Sequence, residues 1–330
     1  MKSYRAWLAV IVTASVLIVI GSLFVGRGDL GNRALVSTFL ELRGMRAAAA
    51  FLSGAALAVA GVVLQTLFRN PLVDPAILGT TAGASLGGQL AILGFSFAPA
   101  WLRPAFLVPE MVLPLGCLIG ALFALTLLLA VIQHTRSELA VLLTGFLLSS
   151  LFVSVGALLI SLVQESWELG RAVISFTLGG VGGAGLRHVL IGLPLVVAAF
   201  IALWAWSRPL ELMLSGQDEA TTLGVDVRQV RWWTVLWVAV GTSAAVAIGG
   251  NVGFVGLVVP HVLRPLVGIS PRRLLPAAAL AGGAFLLLCD VVIRAAPFHG
   301  ELPLGVITGL VGGPLFLVLV VRSQREIAHG

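Results

Sequence analysis

The sequence predicts an all-α membrane protein with ten transmembrane helices. Three observations carry that reading. Of 330 residues, 59% are hydrophobic and only 10% are charged, whereas a soluble domain carries about 25% charged residues. A soluble chain of this length would usually divide into two domains with charged surfaces. Apolar runs of about 20 residues recur from end to end, each able to cross a hydrocarbon core about 30 Å thick. The 39 glycines suit helices whose backbones approach closely in lipid. A transmembrane β-barrel would instead show alternating segments of about ten residues.

The elements follow in order. Lys2 and Arg5 precede an apolar run over 6–26. A secretory signal starts this way, but its apolar core is shorter and ends at a small-residue cleavage site. A retained first helix is therefore expected. The other spans are expected at 47–67, 76–97, 111–132, 139–163, 189–207, 232–249, 252–268, 274–295 and 304–321. The whole chain, 1–330, forms one transmembrane domain in this reading. A polar connection, 208–231, holds Asp218 and Glu219, which suit the first turn of a short helix, and Gly224, which suits its end. A second short helix is expected at 172–181, too short to span.

An even number of spans puts both termini on one side. Twelve basic residues then fall on the terminal side and eight opposite. The excess places the termini in the cytoplasm. Arg43 and Arg46 form an outer cluster that runs against this trend. The formal charge of +6 is spread over the loops, which marks membrane orientation rather than nucleic-acid binding. Cys117 and Cys289 lie inside apolar runs and read as buried packing residues.

No catalytic constellation appears. A P-loop needs a lysine to reach the phosphates, and the sole lysine is Lys2. The five histidines lack zinc-ligand spacing. Ion-driven carriers usually need an acid within the membrane. Asp290 is the candidate, but Arg294 lies four residues on, where a local ion pair forms. The chain thus offers a pathway without an evident energy source: either the energy comes from another polypeptide, or the protein is not a pump.

Four stretches are specific. Gln65–Pro75 includes Arg69-Asn70-Pro71-Leu72, a polar break in which Asn70 is expected to cap the helix end and Pro71 to stop it. The second is Leu223-Gly224-Val225. The third is Gly250-Asn251-Val252-Gly253-Phe254-Val255-Gly256, continuing to Pro260-His261. The fourth is Glu301-Leu302-Pro303-Leu304-Gly305, continuing through Gly309 to Gly312-Gly313-Pro314. Gly253, Gly256, Gly305, Gly309 and Gly313 read as helix-packing positions.

With these motifs in order from about Arg43 to Phe316, the chain resembles the FecCD-type permease subunits of ABC importers for iron–siderophore complexes, haem and cobalamin. The resemblance implies the type II ABC importer permease fold and a place in the bacterial cytoplasmic membrane. It also implies partners: a second permease copy, two cytoplasmic ATPase subunits and a substrate-binding protein outside. No cofactor is implied in this chain, since ATP and Mg belong to the ATPase. By the same resemblance, Asp218, Ala220, Leu223, Gly224, Val225 and Arg228 engage the ATPase. Arg43, Arg46 and Arg294 receive the binding protein. Asn70, Leu72, Ser137 and Glu138 form the inner gate. The pathway would follow the dimer axis, lined by the fifth helix and the short outer helix. That short helix departs from the family pattern, reading Phe176-Thr177-Leu178-Gly179-Gly180 where relatives carry Trp and Ser, and Asn251 stands where Pro is common. The cargo is left open among siderophore, haem and corrinoid. Two other classes compete: an ion-driven carrier, in which Asp290 would be essential, and a membrane enzyme, which would need a convergent polar site.

Overall fold

A computed structural model describes residues 2–26, 35–99, 109–132, 138–163, 166–296 and 302–329. Thirteen helices and no strands occur among them: α1 (Lys2–Phe24), α2 (Val36–Leu67), α3 (Thr80–Phe97), α4 (Pro109–Ile132), α5 (Glu138–Leu162), α6 (Trp167–Leu178), α7 (Leu186–Ala205), α8 (Ser207–Leu212), α9 (Gln217–Thr222), α10 (Val227–Gly249), α11 (Val255–Val267), α12 (Pro271–Ala295) and α13 (Leu304–His329).

Among the described residues, seven helices are long and apolar enough to cross a membrane: α1, α2, α4, α5, α7, α10 and α12. Three expected spans fall on α3, α11 and α13, which are not among the seven. α11 has 13 residues, a rise of about 20 Å against a hydrocarbon core of about 30 Å. α3 dilutes its apolar residues with two threonines, Gln89 and several glycines.

α2 is the hub. From Ala47 to Leu67 nearly every residue is buried, because α1, α7, α10, α11 and α12 all pack on it. Small residues permit this crowding. A side chain on Gly54 would strike the backbone of Gly282 on α12, and one on Gly61 would strike the backbone of Gly256 on α11. Without Cβ atoms the helices touch backbone to backbone, where dispersion replaces the hydrophobic drive that lipid does not supply.

Contacts between helix ends set the directions. α2 carries Arg46 in its first half and leads into Asn70 just beyond its end. The end of α12 meets its start, with Arg294 and Asp290 beside Arg46. The end of α1 also lies there. At the opposite end, which we call the Asn70 end, Tyr4 of α1 meets Arg273 of α12, and Trp204 of α7 meets Arg272. Apolar residues such as Leu17, Ile119, Leu143, Phe146 and Leu158 are exposed on the outer helices. On a bundle in lipid this is the expected distribution.

α2 begins eleven residues earlier than its apolar run suggested. Arg43 and Arg46 look like the end of a span in sequence, but here their charges are satisfied by neighbouring helices, as described below. Cys117 and Cys289 are both free and buried.

Candidate functional site

Four places carry the residues singled out by the sequence. The first is the turn after α2. Arg69 has φ +50°. Its N–H donates to Thr66 O at 3.2 Å, and the Asn70 N–H donates to Gln65 O at 3.1 Å. This pair of bonds is a Schellman closure, whose left-handed position usually holds Gly. Contrary to expectation, Asn70 therefore does not cap α2 with its side chain. Its Oδ1 accepts from the Leu72 N–H at 2.9 Å and closes a local Asx turn. Asn70 is buried and Leu72 half-buried.

The turn continues inward. Asp74 is buried, and its Oδ1 accepts from the Ala76 N–H at 2.7 Å. Burial raises its carboxyl to about 6, opposed by the backbone N–H groups of Ala76, Ile77 and Leu257. Leu257 lies in the first turn of α11, so the carboxylate faces a helix N-terminus. The Ser149 hydroxyl of α5 donates to Ala76 O at 2.9 Å, and Gly145 of α5 leaves room for the backbone of Ile77 and Leu78. The turn thus rests on α5. Ser137 lies outside the described residues, and Glu138 is placed only as the first residue of α5.

The second place is the polar connection. α9 carries Asp218 and Glu219 in its first turn. The Val225 N–H donates to Ala220 O at 3.0 Å and the Gly224 N–H to Thr221 O at 3.0 Å. With Gly224 at φ +84°, this is a second Schellman closure. Ala220 is fully buried, and Val225 packs against the core. Asp218, Leu223 and Arg228 face outward, Leu223 at 63% exposure. Asp226 Oδ1 then caps α10 through the Gln229 N–H at 3.0 Å. The result is a short rigid knob with an apolar tip.

The third place is the junction of the late motifs. The end of α6, the break between α10 and α11, and the start of α13 meet through backbone bonds. The Gly180 N–H donates to Gly249 O at 2.9 Å, and the Leu304 N–H donates to Gly179 O at 2.8 Å. A side chain on Gly305 would meet Asn251 O at 2.5 Å and Leu178 O at 2.6 Å. One on Gly256 would meet Pro75 Cδ at 2.8 Å and Leu57 O at 2.9 Å. Gly253 and Gly309 have nothing within 4 Å, and Gly313 has only ordinary contact with Phe254. It is Gly312, not singled out in the sequence, that lies tight against Phe254. Phe254 itself has φ +68°, a rare conformation for an aromatic residue. Gln89 was missed as well. Its Nε2 donates to Thr177 Oγ1 of α6 at 2.8 Å from a buried site. A buried Gln in an apolar run was the available signal.

The fourth place is a knot of arginines at the Arg46 end. Arg46 Nε donates to Asp290 Oδ1 at 2.9 Å. Arg294 Nε lies 2.9 Å from Asp290 Oδ2. Arg294 Nη1 also donates to the carbonyls of Ser22 and Val25, and Arg43 donates to those of Leu23 and Gly26. The cations therefore close the C-terminal end of α1, where unpaired carbonyls and the helix dipole attract positive charge. Arg43 is buried at 6% exposure, while the Arg46 side chain retains 22%. All three arginines picked for docking stand together at the end of α1, two of them on the Asp290 carboxylate.

Among the described residues, no cluster of three His, Cys, Asp or Glu is placed to hold a metal ion.

The model of the FecCD transport family matches residues 6–322. The chain belongs to that family. Among its FecCD relatives, the hemin transport system permease protein HmuU of Yersinia pestis is 35% identical, with 99% of this chain and 98% of the relative covered. The vitamin B12 import system permease protein BtuC of Vibrio vulnificus is 36% identical, covering 98% and 96%. Of solved structures, an inward-facing conformation of a putative metal-chelate type ABC transporter superposes with a TM-score of 0.81 at 31% identity, covering 96% of this chain and 99% of that one. The backbone junction of Gly179, Gly249 and Leu304 is thus set within a FecCD permease fold.

Proposed function

We propose that this FecCD-family chain is the permease half of an ATP-driven importer in the bacterial cytoplasmic membrane. It moves a bulky iron chelate, haem or a corrinoid inward. The observation that carries the reading is the full-length likeness to an ABC transporter structure, at a TM-score of 0.81 over 96% of the chain. The cargoes named for the relatives, hemin and vitamin B12, support the cargo class.

In this reading two copies form the pathway between them, with α5 and α6 on the dimer axis. The exposed apolar faces of α5 and α13, such as Leu147, Leu151, Leu310 and Leu317, supply the contact. Ten helices cross the membrane, with α3, α11 and α13 completed by packing against the seven long ones. Both termini and the Asn70 end lie in the cytoplasm. ATP and Mg bind a separate ATPase subunit, two copies of which receive the knobs formed by α9. Leu223 enters the ATPase groove, while Asp218 and Arg228 flank it. Gly309 and Gly313 keep the α13 face smooth for the second copy, and Gly253 does the same for the break between α10 and α11. Asn70 and Leu72, with Ser137 and Glu138, close the inner gate. At the other end, Arg43, Arg46 and Arg294 bind acidic residues of the binding protein. Charge pairs of that kind set orientation and encounter rate. Since Asp290 is engaged by Arg46 and Arg294, it is poorly placed to carry a coupling ion.

The test is reconstitution of the chain with its ATPase and binding protein in liposomes. Uptake of cargo that requires ATP supports the proposal; uptake driven by an ion gradient without ATP overturns it. Gly224→Val forces a branched side chain into a left-handed conformation, costing about 1–2 kcal/mol locally. Hydrolysis should then continue while uptake falls at least about tenfold, a barrier change of about 1.4 kcal/mol. Gly224→Asn, which tolerates that conformation, should retain most uptake.

A further inference from the structure

α2, α7, α10 and α12 leave an apolar cavity of about 130 Å³ between them. Ala55 and Val59 form its floor, with Val197, Phe200, Trp237 and Ala279 around it. Val197 is 43% exposed, and Phe200, Trp237 and Ala279 are half-buried. The cavity therefore opens sideways from the bundle, toward lipid.

The faces that line it can be followed to the Asn70 end. Trp204 lies one turn beyond Phe200 on α7. Trp233 lies one turn before Trp237 on α10, and Arg272 two turns before Ala279 on α12. There the surface becomes aromatic and cationic. The Arg272 guanidinium lies 5.8 Å from the Trp204 ring centre, and the Trp204 Nε1–H donates to the Arg272 carbonyl at 3.3 Å. Arg273 lies 5.7 Å from the Tyr4 ring, and the Tyr4 hydroxyl donates to the Arg273 carbonyl at 3.4 Å. Trp206 and Trp233 stack at 6.5 Å. Arg272 and Arg273 are both exposed. Neither forms an ion pair among the described residues.

We propose that this face binds one anionic phospholipid, with an acyl chain in the cavity and the phosphate headgroup on Arg272 and Arg273. The cavity alone would accept any acyl chain. The two uncompensated guanidiniums add the preference for negative charge, since each can donate to phosphate oxygens in a forked arrangement. Their rings hold them at the lipid–water boundary, where tryptophan and tyrosine settle. Ala279 lies about 10 Å above Arg272 along α12 at the helical rise, so a chain anchored at the headgroup reaches the cavity within its upper half. The site stands on the cavity and the rim, and it does not depend on the transport reading.

The test uses the full-length protein purified in dodecyl maltoside and follows thermal unfolding. Phosphatidylglycerol and phosphatidylcholine with the same chains are compared, and glycerol phosphate serves as the headgroup without chains. Phosphatidylglycerol should raise Tm by about 3 °C or more, by selective binding to the folded state. Phosphatidylcholine should raise it less, and glycerol phosphate not at all. The Arg272→Gln/Arg273→Gln variant should lose the difference between the two lipids. Ala279→Phe fills the cavity and should reduce both lipid shifts; if it does not fold, Val197→Trp blocks the opening from an exposed position. Equal shifts from the two lipids would overturn the proposal. So would a phosphatidylglycerol advantage that survives loss of the arginines, lipid shifts unchanged by the plugged cavity, or a full effect from glycerol phosphate.

Discussion

Gln65 of α2 and Arg264 of α11 are joined by a hydrogen bond of 2.6 Å from Nη2 to Oε1. Gln65 Nε2 in turn donates to Gly256 O at 3.0 Å. One buried side chain therefore ties the hub helix to both the first turn and the last turn of the short helix. Gln65→Leu leaves the partly buried guanidinium and the Gly256 carbonyl without this partner. We expect a loss of about 2–3 kcal/mol, the cost of an unmet bond to a charged group. Adding Arg264→Met should restore part of it, because the uncompensated charge is then gone. Thermal unfolding of the two single variants and the double variant measures the coupling.

Asp290 is the carboxylate shared by Arg46 and Arg294. Asp290→Asn keeps the shape but takes from Arg46 and Arg294 the negative charge they share. A destabilisation of about 3 kcal/mol or more is expected. Amide exchange at the end of α1 should rise more than exchange at the Asn70 end, which locates the loss at the knot.

The glycines of α13 make a contrast within one helix. A methyl group at Gly305 meets two backbone oxygens, whereas one at Gly309 meets nothing within 4 Å of this chain. Gly305→Ala should destabilise the chain by about 1–3 kcal/mol through overpacking. Gly309→Ala should leave monomer stability unchanged. If the second copy packs there, Gly309→Ala should instead weaken the dimer, as read by analytical ultracentrifugation in detergent.

Asp74 is raised from 3.8 to about 6 by burial. A raised carboxyl binds its proton more tightly in the folded state. The folded state then holds more protons than the unfolded state between about pH 4 and pH 6, so this group lowers stability as pH rises through that window. Above about pH 6 its contribution is constant. Asp74→Asn should remove that part of the slope. Unfolding midpoints measured from pH 4 to pH 8 for both chains check the sign.

Much of the architecture was legible from residue order. The long spans at α4, α5, α7 and α12 follow continuous apolar runs, because lipid demands apolar surface over a fixed length. The helical knob of α9 was legible in Asp218, Glu219 and Gly224, since helix starts and stops are local chemistry. The start of α2 was not. Arg43 and Arg46 close the apolar run in sequence, and the carboxylate of Asp290 and the carbonyls at the end of α1, which folding brings to them, help the helix to include them.

The late motifs show the same division. Their glycine spacing signalled close packing, but spacing cannot say which glycine meets a neighbour. Gly256 and Gly305 do, Gly253 and Gly309 do not within one chain, and Gly312 proved tighter than Gly313. The sequence by itself determined a helical membrane protein with a FecCD motif order, whose sole lysine, Lys2, lies in no P-loop. The tertiary structure decided where its few polar groups act. Hydropathy is summed along the chain, whereas a buried charge is stabilised only by partners that folding brings to within about 3 Å.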